Sequence, residues 1–66
     1  MTFARALRET MDELNLTVAQ VARSIEVTEG AVYKQLAGGE PSRPTYDRMR
    51  RAYPGLAERM DRAVVA

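Results

Sequence analysis

The chain has 66 residues, the size of one small domain, and its 10 basic and 9 acidic side chains leave a net charge of +1. It contains neither cysteine nor histidine, which excludes thiol chemistry, zinc-finger ligation and imidazole acid–base catalysis. No stretch approaches the ~20 apolar residues of a membrane-spanning helix and no signal peptide is evident, so we expect a cytoplasmic protein with neither metal nor cofactor.

The charges are unevenly distributed along the chain. Residues 1–30 hold three basic and five acidic side chains, whereas residues 31–53 hold five basic and two acidic ones. A local basic patch is what contact with phosphates requires, while net charge sets mainly the long-range attraction. The distribution therefore permits nucleic-acid binding, although the net charge is low for a DNA-binding protein.

A first helix is predicted from about Phe3 to Leu14, with Thr2 as its N-cap. Asn15 is expected to end it in a left-handed turn, a conformation that asparagine tolerates. The apolar residues of this helix, spaced three or four apart as one face requires, are Phe3, Leu7, Met11 and Leu14.

Residues 17–38, TVAQVARSIEVTEGAVYKQLAG, have the pattern of two short helices joined by a tight turn. Thr17 and Gln20 have the spacing of a capping box, and Thr28 is placed to cap the second helix. Gly38-Gly39 suits its C-terminal end. Val32 and Leu36 share one face of this helix, and the residues on the opposite face are Glu29, Gly30, Tyr33 and Lys34. This pattern predicts a helix-turn-helix whose second helix enters a DNA major groove.

Two more helices follow the breaker-rich loop GGEPSRP. The fourth is expected to start near Thr45 and to turn Tyr46, Met49 and Tyr53 inward. Its outer side carries arginines that we expect to form a solvated face, namely Arg48, Arg50 and Arg51. Pro54 stops this helix and suits the first turn of a fifth, over about residues 55–65. The prediction is an all-α domain of five helices spanning residues 1–66.

LNLTVAQVARSIEVTEGAVYKQLAGG resembles the helix-turn-helix of lambda-repressor-like DNA-binding proteins, which comprise phage repressors, Cro proteins and XRE-type regulators. The resemblance covers nearly the whole chain, through the further segments Leu7-Arg8, Arg43-Pro44 and Tyr53-Pro54-Gly55-Leu56. It implies a compact five-helix fold with the helix-turn-helix at about residues 17–38. Two residues depart from the family pattern. Glu26 stands where the family often has a turn glycine, and Val18 where it often has a phosphate-contacting glutamine.

The motif and the residue types together give a set of expected DNA contacts. Lys34 suits guanine or a phosphate, Tyr33 a thymine methyl or a phosphate, and Glu29 either cytosine N4 or only the helix dipole. Gly30 suits a close approach of the helix backbone to a base edge or sugar. The resemblance implies that the loop carrying Arg43 runs along the DNA backbone near the operator centre, so Arg43 suits either a phosphate or a narrow minor groove. Thr17, Thr28 and Thr45 are expected mainly to cap helices, and a phosphate contact would be their second role. The complete set of expected contacts is Thr17, Gln20, Thr28, Glu29, Gly30, Tyr33, Lys34, Ser42, Arg43 and Thr45.

A homodimer is expected, because a chain this short buries only about 60% of its unfolded surface and is marginally stable alone. The predicted dimer surface is the fifth helix, through Leu56, Met60, Val64 and Val65. The expected function is that of a repressor or autorepressor that binds a palindromic double-stranded DNA operator, with no small-molecule effector and no membrane. Small autorepressors of phage and mobile-element operons, including regulators of anti-CRISPR operons, are similar to this chain.

The alternative is a protein–protein interaction module of the antitoxin or adaptor kind, with Tyr33, Tyr53 and the valines as its contacts. An enzyme is not expected. Glu9 and Glu13 lie four apart on the first helix, but no nucleophile or third ligand accompanies them, so a solvated face is the expected role.

Overall fold

Five α-helices make up the part of the chain that the computed structural model describes, which is the backbone of residues 2–65 and the side chains of residues 2–61. The helices are α1 (Phe3–Leu14), α2 (Val18–Ser24), α3 (Glu29–Leu36), α4 (Arg43–Ala52) and α5 (Pro54–Val65). No strand occurs within residues 2–65, so the all-α prediction is confirmed. The side chains of Val64 and Val65, predicted at the dimer surface, lie outside the described residues.

Hydroxyl side chains begin the first three helices, as the sequence predicts. Thr2 Oγ1 accepts the Arg5 N–H at 3.3 Å, and Thr28 Oγ1 accepts the Ala31 N–H at 3.1 Å. In α2 the capping box is complete, because Gln20 N–H donates to Thr17 Oγ1 at 3.2 Å and Thr17 N–H donates to Gln20 Oε1 at 2.8 Å. Each cap satisfies a backbone donor that has no intrahelical partner.

The start of α4 differs from the prediction. Ser42 is the N-cap: its Oγ accepts the Thr45 N–H at 3.4 Å and donates to Thr45 Oγ1 at 3.0 Å. Pro44 does not block the helix, because residues of the first turn need no N–H for an intrahelical bond. The prediction that Thr45 is a cap is therefore wrong, and Thr45 is a half-buried residue inside the first turn.

Left-handed residues end α1 and α3. Asn15 has φ 54° and ψ 45°, which confirms its predicted role. After α3, Gly38 has φ 117°, its N–H donates to Gln35 O at 3.2 Å, and the Gly39 N–H donates to Lys34 O at 2.9 Å. This pair of bonds is a Schellman motif, which satisfies carbonyls that the helix end leaves free.

The turn between α2 and α3 contains a left-handed residue that is not a glycine. Glu26 has φ 58°, a conformation that costs a residue with a Cβ about 1–2 kcal/mol. Val27, which follows it, is half-buried, and its N–H donates to Ala22 O at 3.0 Å. The turn thus has the backbone geometry that a glycine would adopt at lower cost.

The core lies between α1, α3 and α5, with α2 packed on α3 and α4 packed on α5. Its buried apolar residues are Phe3, Ala6, Leu7, Met11, Val21, Ala22, Ile25, Val32, Met49, Tyr53 and Leu56. Tyr46 and Met60 are half-buried and pack against it. The inward positions predicted for α4 are thereby confirmed for Met49 and Tyr53.

Two apolar residues lie on the side opposite to the predicted one. Leu14 is 52% exposed, because the chain turns away at Asn15 and Leu16 packs on the core instead. Leu56 is 0% exposed, because it lies on the side of α5 that packs against α1 and α4. The prediction of Leu56 at a dimer surface is therefore wrong, while Met60 keeps a partly exposed side chain.

Arg59 joins α5 to α1. Its Nη1 donates to Thr10 Oγ1 and to Gly55 O, both at 3.2 Å, and its Nη2 pairs with the Glu13 carboxylate. The Arg59 side chain is only 21% exposed, so these bonds form partly away from water. Glu13 thus has a structural partner in addition to solvent. Within the described residues, no helix combines the length and the apolar character needed to cross a bilayer.

Candidate nucleic-acid interface

The third helix has one buried and one exposed side. Val32 is fully buried and Gln35 is 7% exposed, with Leu36 half-buried beside them. All four residues predicted on the opposite side are exposed: Glu29, Gly30, Tyr33 and Lys34. The predicted division of this helix is therefore confirmed, except that the buried side includes a glutamine that the sequence pattern did not single out.

Tyr33 is the most prominent side chain on the exposed side of α3. It is 60% exposed, and among the described residues only Leu14 is another large hydrophobic residue with comparable exposure. Leaving an aromatic ring in water gives up the stabilisation that its burial would provide. A ring in this position is available to a partner.

Lys34 lies beside the glycine pair that ends α3. A Cβ at Gly39 would sit 3.2 Å from Lys34 Cγ and 3.0 Å from the Lys34 carbonyl oxygen, closer than ordinary contact. Gly39 therefore leaves room for the stem of Lys34 as well as for the Schellman motif. The lysine itself remains exposed.

The first turn of α3 offers hydrogen-bond donors. Thr28 Oγ1 accepts the Ala31 N–H, but the backbone N–H groups of Glu29 and Gly30 have no acceptor among the described residues. Donors at a helix N-terminus, with the positive end of the helix dipole, suit an anion such as a phosphate. Glu29 places a carboxylate in the same turn, which already compensates part of that dipole.

The remaining predicted contacts form two local pairs. Thr17 is bonded to Gln20 and Ser42 to Thr45, and no hydrogen bond of the described chain links these pairs to each other or to α3. The capping box occupies the amide oxygen of Gln20, so its amide N–H groups are the ones left to donate. Arg43, the first residue of α4, is exposed.

The arginines of α4 differ in their surroundings. Arg48 Nη1 donates to Ile25 O at 3.3 Å and so caps the C-terminal end of α2. The guanidinium carbon of Arg50 lies 5.8 Å from the centre of the Tyr46 ring, which is within cation–π range. The three arginines predicted to form a solvated face, Arg48, Arg50 and Arg51, are exposed, but Arg48 also has a structural contact. No local signal predicts it, because the two partners are 23 residues apart.

Two buried polar atoms among the described side chains have no hydrogen-bond partner, Gln35 Oε1 and Tyr53 Oη. Tyr53 is 7% exposed, and Val21 and Val32 are fully buried. Three of the contacts that the protein–protein alternative requires are therefore inaccessible, whereas Tyr33 is exposed and Val18 and Val27 are half-buried.

No family model, curated protein or solved structure matches this chain. The resemblance to lambda-repressor-like proteins therefore stays a prediction. Within the described part of the chain, no three or more carboxylate, histidine or cysteine groups lie together as they would to hold a metal ion.

Proposed function

We propose that this protein is a sequence-specific DNA-binding transcriptional regulator in which α2 and α3 form a helix-turn-helix and α3 reads the major groove. The observation that carries the proposal is the exposed side of α3, which presents Tyr33, Lys34 and Glu29 opposite the buried Val32. These residue types supply a ring, a donor and an acceptor for base edges.

The pairing of α2 and α3 supports this proposal. The two helices have seven and eight residues, pack against each other, and are joined by residues 25–28. Short helices joined by a turn of this length are typical of the motif. The left-handed backbone of Glu26 gives that turn the conformation for which lambda-repressor-like proteins often use glycine.

The mixed charge of the exposed side favours selective over general attraction. Lys34 suits guanine O6 and N7, and Glu29 suits the amino group of cytosine, so together they discriminate among base pairs. A net charge of +1 supplies little non-specific attraction. Base contacts must therefore account for much of the affinity.

The caps provide the proposed phosphate contacts. Thr28 and the free N–H groups of α3 approach the phosphates nearest the recognition helix, and Thr17 with Gln20 does so at the start of α2. At the start of α4, Ser42 and Arg43 are exposed. The half-buried Thr45 accepts a hydrogen bond from the Ser42 hydroxyl and so positions the Ser42 side chain.

The proposed active form is a homodimer on a palindromic operator. Each chain has one α3, and half-sites read by such dimers lie about 34 Å apart. The longest dimension of the domain is 32 Å, so two copies side by side fit that spacing. A dimer bound across a promoter represses by occlusion, and regulation of its own operon is the simplest case.

Fluorescence anisotropy with DNA fragments from upstream of the protein's own gene tests the proposal. We expect one fragment to bind. The logarithm of its affinity should fall linearly with the logarithm of the salt concentration, with a slope of about 0.9 for each phosphate contacted. Lys34→Ala should weaken binding by about 1–3 kcal/mol. Arg51→Ala, which removes the same charge from an exposed site on α4, is the matched control and should weaken it less. If no fragment binds, or if the affinity of the bound fragment hardly depends on salt, the protein–protein module is favoured.

A further inference from the structure

The core is incompletely covered between α1, α4 and α5. An open cleft of about 430 Å³ lies there, and its apolar lining includes Phe3, Tyr46 and Met60. The two aromatic rings are 5.7 Å apart and tilted by 60°, so they fix the shape of the floor. Met60 is half-buried, and a methionine adapts its shape to a surface that packs on it.

Four exposed charged residues surround this apolar floor: Glu40, Arg43, Asp47 and Arg50. Two are cations and two are anions, so the rim carries no excess charge. None of them forms an ion pair or a side-chain hydrogen bond with another described residue. Arg50 contacts the Tyr46 ring, and the other three charged groups have no described partner within the monomer.

We propose that a second copy of this chain docks on this cleft, two-fold symmetrically. A two-fold interface places the same patch against itself, so its charges must complement their own copies. A rim with two cations and two anions around an apolar floor meets that condition. A surface that binds DNA is expected to carry an excess of cations. A surface that binds a strongly acidic or strongly basic protein is expected to carry a net charge of the opposite sign.

This dimer deepens the proposed function, since it supplies the two-fold form that a palindromic operator requires. It differs from the surface predicted on the fifth helix, because Leu56 is fully buried, and it retains Met60 of that surface. Arg43 belongs both to this rim and to the proposed phosphate contacts. The two copies of Arg43 then lie at one interface, close to the two-fold axis of the operator.

Two charge variants test the proposal without DNA. Glu40→Lys with Asp47→Lys makes the rim wholly basic, and Arg43→Glu with Arg50→Glu makes it wholly acidic. Sedimentation velocity should find the wild type dimeric, and each variant should dissociate with a Kd more than about tenfold higher, since like charges oppose each other. An equimolar mixture of the two should regain a dimer, and native mass spectrometry should identify one chain of each kind.

Three results would overturn the proposal: a wild type that stays monomeric at millimolar concentration, a variant that dimerises like the wild type, or a mixture that forms no heterodimer. Dilution of the wild type followed by amide NMR gives a second test that does not depend on variants that fold. The shifts should centre on Phe3, Tyr46 and Asp47, and shifts centred on Leu14 or Tyr33 would contradict the cleft. These experiments contain no DNA, so a failure of the dimer proposal would not count against operator binding. Operator binding is tested separately by the Lys34→Ala variant.

Discussion

Replacement of Gly30 by alanine separates the stability of the domain from its binding. Gly30 is the second residue of α3 and is exposed. A Cβ built there would have Thr28 Oγ1 as its nearest neighbour, at 3.9 Å, which is ordinary van der Waals contact. Because glycine in a helix is about 1 kcal/mol less favourable than alanine, Gly30→Ala should stabilise the domain by about 0.5–1 kcal/mol.

The neighbouring glycines supply a matched contrast. Gly38 has φ 117°, a conformation that favours glycine, and at Gly39 a Cβ would lie 3.0 Å from Lys34 O. Alanine at either position should therefore destabilise the domain, by about 1 kcal/mol at Gly38. Circular dichroism melting measures the difference. For a domain of this size, the stabilisation at Gly30 corresponds to a Tm increase of about 2–8 °C.

The same Gly30→Ala variant should bind the operator more weakly. If the backbone of α3 approaches a base edge or sugar at Gly30, an added methyl group meets the DNA. We expect a loss of about 1–2 kcal/mol, or roughly 5–30-fold in Kd. A variant with a higher Tm and unchanged affinity would refute the close approach at Gly30. A lower Tm would refute the steric argument itself.

Three further substitutions test the energetics of the fold by chemical denaturation. Glu26→Gly should stabilise the domain by up to about 1 kcal/mol, because glycine adopts the left-handed φ of 58° without a Cβ penalty; a loss of stability would mean that the glutamate side chain has a contact of its own. Tyr53→Phe should be neutral or stabilising by about 1 kcal/mol, because it removes a buried hydroxyl without a partner, and a clear loss would reveal a bond to that hydroxyl. Arg59→Ala should destabilise the domain by about 1–2 kcal/mol, because Thr10 and Glu13 lose their link to α5, and an unchanged denaturation midpoint would contradict this link.

Local chemistry accounts for the features that the sequence predicted well. Thr17 with Gln20 caps α2 through atoms three residues apart, and Asn15 turns the chain through its own backbone preference. Such features depend on neighbours in the sequence, so a pattern suffices to find them. Helix α4 begins at Arg43, before the start predicted near Thr45, because proline is compatible with the first turn that Ser42 caps.

Contacts between distant segments could not be predicted in this way. Helical spacing places Leu14 and Leu56 on apolar faces, but it does not show which of these faces packs against another helix. In the structure Leu14 is exposed and Leu56 is buried. The bonds of Arg48 to Ile25 O and of Arg59 to Thr10 Oγ1 join residues 23 and 49 positions apart. Only packing brings such partners together.

Helix α4 connects the two proposed surfaces. Its outer residues Asp47 and Arg50 form part of the dimer cleft, and Arg48 donates to the carbonyl of Ile25 at the turn that leads into α3. Helix α4 also packs on α5. A second copy docked on the cleft would therefore contact a helix that is hydrogen-bonded to the proposed helix-turn-helix. The distance between the two α3 helices is then set by packed helices and not by a flexible linker. A dimer built in this way should tolerate changes in the base pairs it does not touch far better than a change in the spacing of its half-sites.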